Sequence, residues 1–155
     1  MRNLSISKFP TSRTILGFPF LLLLITLTVL ISGCSAESTS HAYQLAPLSK
    51  MHPLVQAAPV SVQEAYQFAH AHPDVLQQFP CYCGCGAMGH TSNYSCYVND
   101  ANGDKAFDNH ALGCSICVDI TQDVMRMMDD GKEIGKIQAF VDNKYSAFGP
   151  SNLLP

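Results

Sequence analysis

Residues 108–130 read DNHALGCSICVDITQDVMRMMDD. Ala111, Ile116, Val118, Val124 and Met128 lie along this stretch at helical spacing, and Asp123, Asp129 and Asp130 leave an outer face polar. Asp108 suits an N-cap and Gly131 a C-terminal stop. The spacing therefore predicts one long helix from about Asp108 to Asp130. Met125, Met127 and Met128 are read as core filler rather than as ligands, because methionine at helical spacing fills gaps.

Other helices flank this one. Ser61-Val62-Gln63-Glu64 fits a capping box, and Val62, Ala65, Tyr66 and Ala69 follow at helical spacing until Pro73. Pro73 suits the first position of a second short helix that ends before Pro80. A final helix is expected from about Glu133 to Tyr145, with Ile134, Ile137, Phe140 and Val141 facing inward. Residues 80–95 are rich in Gly, Cys and Ser and read as a loop. Residues 96–107 read as a small hairpin or an irregular excursion. The Asp/Asn cluster at 99–104 is a turn rather than a calcium loop, since the twelfth position counted from Asp100 is Ala111, not an acid. The expected class is all-α: a small helical bundle with a Cys/Gly-rich loop packed against it.

The chain begins with material of another kind. Arg2, Lys8 and Arg13 precede an apolar run from Ile15 to Ile31, which closes on Ile31-Ser32-Gly33-Cys34. Basic, then apolar, then small residues is the order of a secretory signal. The closing residues resemble the bacterial lipoprotein box, in which the cysteine becomes the new N-terminus and carries lipid. The expected organisation is a signal peptide at 1–33, lipidated Cys34 and a flexible tether at 34–60, a Cys-rich helical domain at 61–150 and a tail at 151–155. A random-coil tether of that length spans about 30 Å. Diacylation at Cys34 would give firm anchoring to a bacterial membrane on its extracytoplasmic side, where a single chain is marginal. Losing three of the nine Lys and Arg residues with the signal leaves six against twelve acidic residues, a formal charge of −6. Such a balance disfavours nucleic acid as a partner.

Of the seven cysteines, six remain for the domain once Cys34 is lipidated. Residues 81–90, CYCGCGAMGH, place Cys81, Cys83 and Cys85 at alternate positions. In an extended segment these point one way. Neighbours in such a run are awkward to bridge to each other and well suited to wrap a soft ion, with Gly84, Gly86 and Gly89 easing the backbone. On the predicted long helix, His110, Cys114 and Cys117 fall at i, i+4 and i+7 and share a face. The candidate metal ligands are therefore Cys81, Cys83, Cys85, Cys114, Cys117, His110 and His90. Cys96 is an extra ligand or half of a structural disulfide, for instance with Cys85. Thiolate with imidazole selects copper(I) or zinc rather than calcium or magnesium.

Pro80-Cys81-Tyr82-Cys83-Gly84-Cys85 resembles the signature of the bacterial PCYCGC-motif lipoprotein family. The likeness extends through Gly89-His90, Cys96, the stretch DNHALGCSIC and the segment from Gly131 to Tyr145. It implies a lipoprotein and no activity. Residues 131–150, GKEIGKIQAFVDNKYSAFGP, are similar to the end of the three-helix thiol-reductase domain of c-type cytochrome maturation, which implies a helical bundle.

Three functions compete. The leading one is a membrane-tethered soft-metal-binding protein, copper first and zinc second, acting as chaperone, buffer or sensor toward a metal-receiving or redox partner. The second is an extracytoplasmic thiol–disulfide oxidoreductase using Cys114 and Cys117, since a CxxC at a helix start exchanges disulfides. The third is a disulfide-stapled interaction module. No stretch reads as a hydrolytic triad or a phosphate loop, and a conventional enzyme is not expected.

Overall fold

The computed structural model describes residues 41–153 apart from 101, 102 and 104. In chain order it contains helices α1 (Pro53–Gln56), α2 (Val60–Ala71) and α3 (Pro73–Leu76), strands β1 (Val98–Asn99) and β2 (Ala106–Phe107), and helices α4 (Ser115–Asp129) and α5 (Ile134–Tyr145). Single 3-10 turns lie at Leu48–Lys50, Cys85–Met88, Tyr94–Cys96 and His110–Leu112. The signal peptide, Cys34 and residues 34–40 lie outside the described residues. Among the described residues no helix is long and apolar enough to cross a membrane.

Helix α4 is central, with α2 and α5 both packed on it. Cys117, Ile120, Thr121 and Val124 are buried on its inner face, at the i, i+3, i+4, i+7 spacing that makes a core-facing stripe. Ala65, Tyr66, Phe68 and Ala69 meet it from α2, and Ile137, Val141 and Tyr145 belong to the same core from α5. The Tyr66 and Tyr97 rings cross edge to face at 4.9 Å. A fully buried side chain of the size of Phe68 or Ile120 contributes about 1.5–3 kcal/mol relative to exposure. Helix α4 stops at Gly131, whose φ of 69° suits glycine. The amides of Gly131 and Lys132 return to the carbonyls of Met128 and Met127, closing the helix end. The two strands pair antiparallel, Val98 with Phe107 and Asn99 with Ala106, so the 96–107 stretch is a small hairpin.

The structure corrects four boundaries. The predicted helix from Asp108 to Asp130 is broken. His110–Leu112 is a separate 3-10 turn, and Cys114 is extended at φ −122°, ψ 100° as the N-cap of α4. Gly113 sits between them, where the lack of a side chain weakens helix continuation. Asp108 is the N-cap of neither element, since Asn109 precedes the short turn and Cys114 the helix, but its Oδ1 accepts the His110 amide at 2.8 Å. Helix α2 starts after Pro59 with no side-chain cap, so the box at Ser61 does not form. Pro59 supplies the extended residue and has no amide to satisfy.

The third correction concerns the tether. Of residues 34–60, those from 41 on are folded, with Tyr43, Met51 and Val55 in the core. His72 Nε2 contacts the Gln44 carbonyl at 2.7 Å, and the Gln67 side chain donates to the Ala46 carbonyl at 2.6 Å. Scattered apolar residues without a period hid a segment that packs as single anchors. The fourth correction is the tail at 151–155, whose Asn152 is buried.

Candidate metal centre

The cysteine loop leaves Pro80 over the first turns of α4. Gly84 and Gly89 hold left-handed backbone, φ 83° and 88°, on either side of the turn Cys85–Met88. Only glycine adopts that region freely, and the chain thereby curls so that Cys81, Cys83 and Cys85 bring their sulfurs within 4.8 Å of one another. The convergence comes from the left-handed turn as well as from alternation, since Cys85 already belongs to the 3-10 turn. The tail closes over this loop. A Cβ on Gly149 would stand 2.7 Å from the Tyr82 carbonyl oxygen, so the close approach requires glycine there.

All six domain cysteines and both named histidines meet at this place. Cys81 Sγ lies 3.3 Å from Cys83 Sγ and 3.3 Å from Cys117 Sγ. Cys83 Sγ lies 3.6 Å from Cys117 Sγ and 3.4 Å from His110 Nε2. Cys85 Sγ and Cys96 Sγ stand 3.7 Å apart. Cys114 joins Cys83, Cys117 and His110 in a group of donors all within 4.8 Å of one another. His110 is thus brought to Cys114 and Cys117 by its own turn rather than by a shared helix face.

Crowding the sulfurs makes them share protons. The hydrogen bond from Cys117 draws the Cys81 thiol below its usual range, and the same contact holds the Cys117 thiol far above it. Bonds from Cys117 and then Cys81 draw Cys85 down. Burial, then the neighbouring Cys81, pushes Cys83 up. Adjacent sulfurs that cannot all ionise together are a poor resting arrangement for thiols and a good one for a cation that lets every sulfur become thiolate.

Five polar residues that the sequence did not single out as site residues hold the centre in place. Asn93 and Tyr97 are both fully buried. The Tyr97 hydroxyl donates to the Cys117 carbonyl at 2.8 Å and contacts Thr121 Oγ1 at 2.7 Å, and Thr121 donates to Asn93 Oδ1 at 3.0 Å. Asn152 accepts the Cys81 amide on Oδ1 at 2.6 Å. Asp108 stands 3.5 Å from His90 Nε2. Asn93, Tyr97 and Asn152 lie outside the long helices and carry no periodicity that would reveal them, and Thr121 is a polar residue within the buried stripe of α4. Only Asp108, two residues before a candidate histidine ligand, offered a signal. A cavity of about 700 Å³ opens beside His90 and Asp108, with Met88, Ser92 and Tyr94 also on its wall.

The model of the family described as "Protein of unknown function with PCYCGC motif" matches residues 23–151. No curated protein and no solved structure matches the chain. The similarity of residues 131–150 to a thiol-reductase domain has no counterpart in these comparisons.

Proposed function

The chain belongs to the PCYCGC-motif family, and because that family brings no activity with it, we propose from the site alone that the protein binds a soft metal ion, copper(I) first and zinc second. One observation carries the reading. Cys83, Cys114, Cys117 and His110 present four donor atoms all within 4.8 Å of one another, the number and kind that close a tetrahedral site. A staple framework has no use for a histidine at 3.4 Å from a sulfur. It also wants unique pairs, whereas Cys117 has two sulfur neighbours, at 3.3 and 3.6 Å. Thiolate-rich donors with imidazole favour copper(I) and zinc among the available ions. The lipoprotein box at Cys34 supports a place outside the cytoplasm on a bacterial membrane, where such a protein passes ions to a receiving protein, buffers them or senses them.

A second reading has its own support. Cys114 is half-buried at the N-cap of α4 and Cys117 is buried one turn in, the layout of an attacking and a resolving thiol. It predicts that Cys114→Ser abolishes thiol–disulfide exchange with oxidised glutathione and that metal makes no difference to the wild type.

The deciding experiment is elemental analysis with thiol counting on protein purified without oxygen. The metal reading expects one or more equivalents of copper or zinc, and four or more thiols released by a chelator. Protein that takes up neither ion on loading and shows no free thiol is a stapled module, and the metal reading fails.

A further inference from the structure

The donors do not surround one point. Cys83, Cys114, Cys117 and His110 form one set, and Cys85, Cys96, His90 and His110 form another. The two sets have only His110 in common. A tetrahedral ion takes four ligands at about 2.0–2.3 Å, so one ion cannot use both. Cys81 stands between them. It groups with Cys83 and Cys85 on one hand and with Cys96 and Cys117 on the other, the position of a sulfur shared by two centres.

The second set carries an independent sign of an ion. His90 Nδ1 is buried and is the one such side-chain atom among the described residues without a hydrogen-bond partner. Its other nitrogen, Nε2, faces Asp108 Oδ2 at 3.5 Å. A carboxylate at one ring nitrogen keeps the proton there and leaves the other lone pair free for a metal. Asp108 is itself fixed by the His110 amide on its other oxygen, at 2.8 Å, so one carboxylate orients elements of both sets. The cavity of about 700 Å³ includes His90 and Asp108 in its wall. The second set, whose Cys85 and Cys96 are buried, therefore has a route to solvent at His90, while Cys83, Cys114 and His110 of the first set are themselves partly exposed.

We propose that the site is a two-ion centre. The first ion is held by Cys83, Cys114, Cys117 and His110. The second is held by Cys85, Cys96 and His90, with Asp108 as its orienting carboxylate, Cys81 as the sulfur between the ions, and the cavity as its exchange route. This rests on the metal-binding reading and adds to it the number of ions and the ligands of each.

The test is an anaerobic copper(I) titration of the full reduced chain in detergent, against a chromophoric copper(I) chelator. The wild type is expected to saturate at two equivalents, and Cys96→Ser and Cys114→Ser at one each. Asp108→Asn changes no ligand. It is expected to keep both ions while one of them passes to the chelator about tenfold more readily, as for other orienting partners of ligand histidines. Circular dichroism of each variant guards against loss of fold, and the wild-type stoichiometry stands whatever the variants do. Saturation at one equivalent overturns the two-ion centre and leaves the metal reading intact. Uptake of three or more ions in one cooperative step overturns it as well. No uptake at all overturns both.

Discussion

Asn152 accepts the Cys81 amide on its side-chain oxygen at 2.6 Å, and its side-chain nitrogen lies 3.2 Å from the carbonyls of both His90 and Ser92. The same nitrogen is 3.5 Å from Cys85 Sγ. One side chain thus ties both ends of the cysteine loop to the tail. Replacing it by alanine leaves the buried Cys81 amide without its side-chain acceptor, and an unmet buried donor costs about 1–3 kcal/mol. Asn152→Ala is expected to lower the urea midpoint of the reduced, metal-free protein by about that free energy and to speed metal release. An unchanged midpoint would show that the tail is not a strap. At this scale the sequence displayed the ligand types well, because thiols packed at alternate positions with glycines are rare. It did not display their supports. Asn93, Tyr97 and Asn152 act through contacts 20 or more residues away along the chain, and nothing local to a lone asparagine announces such a partner.

Between elements, the bond from α4 to α5 is polar as well as apolar. Asp123 on α4 receives Lys144 at 2.6 Å and the Tyr145 hydroxyl at 2.7 Å, both from α5, and Arg126 at 2.9 Å from its own helix. Burial alone would raise its pKa, but the bonds from Arg126, Lys144 and Tyr145 outweigh burial and hold the carboxyl below its usual range. A folded-state pKa below the unfolded one contributes stability that is fully present above the unfolded value, about 3.9 for Asp. That contribution is lost as pH falls through the lower, folded value. Thermal melts should therefore weaken below about pH 4, and Asp123→Asn should melt lower at neutral pH with a shallower acid limb. Parallel acid limbs would mean that other carboxylates govern the loss. Helix α5 was legible from Ile134, Ile137 and Val141, because burial on one face imposes a period. The start of α4 was not. Cys114 and Cys117 keep helical spacing to His110, and the break at Gly113 depends on the Asp108–His110 turn, a side-chain bond that competes with the helix.

For the whole molecule, metal and core are coupled. An ion that binds only the folded chain adds about 4 kcal/mol at a thousandfold excess over its dissociation constant, which is comparable with the net stability of a small domain. Chelation should therefore lower the melting temperature of the reduced protein by many degrees, and re-addition of copper(I) or zinc should restore it. The folded unit is also longer at its start than composition suggested. Val55 is fully buried and Met51 and Tyr43 nearly so, and Tyr43 meets Phe68 edge to face at 5.0 Å. Restoring these three side chains to water forfeits about 1.5–3 kcal/mol each, a sum of the order of the entire stability of a domain this size. A chain beginning at Val60 is therefore expected to lack a cooperative urea transition and to show collapsed amide dispersion without metal, while a chain beginning at His41 unfolds cooperatively. Saturating metal should rescue the shorter chain only in part, because the lost anchors belong to the segment before α2, where Tyr43 packs on Phe68, and not to the sulfurs. Equal, cooperative unfolding of the two chains would return residues 41–59 to the role of tether and place the stability of the molecule in the bundle and its cysteine loop alone.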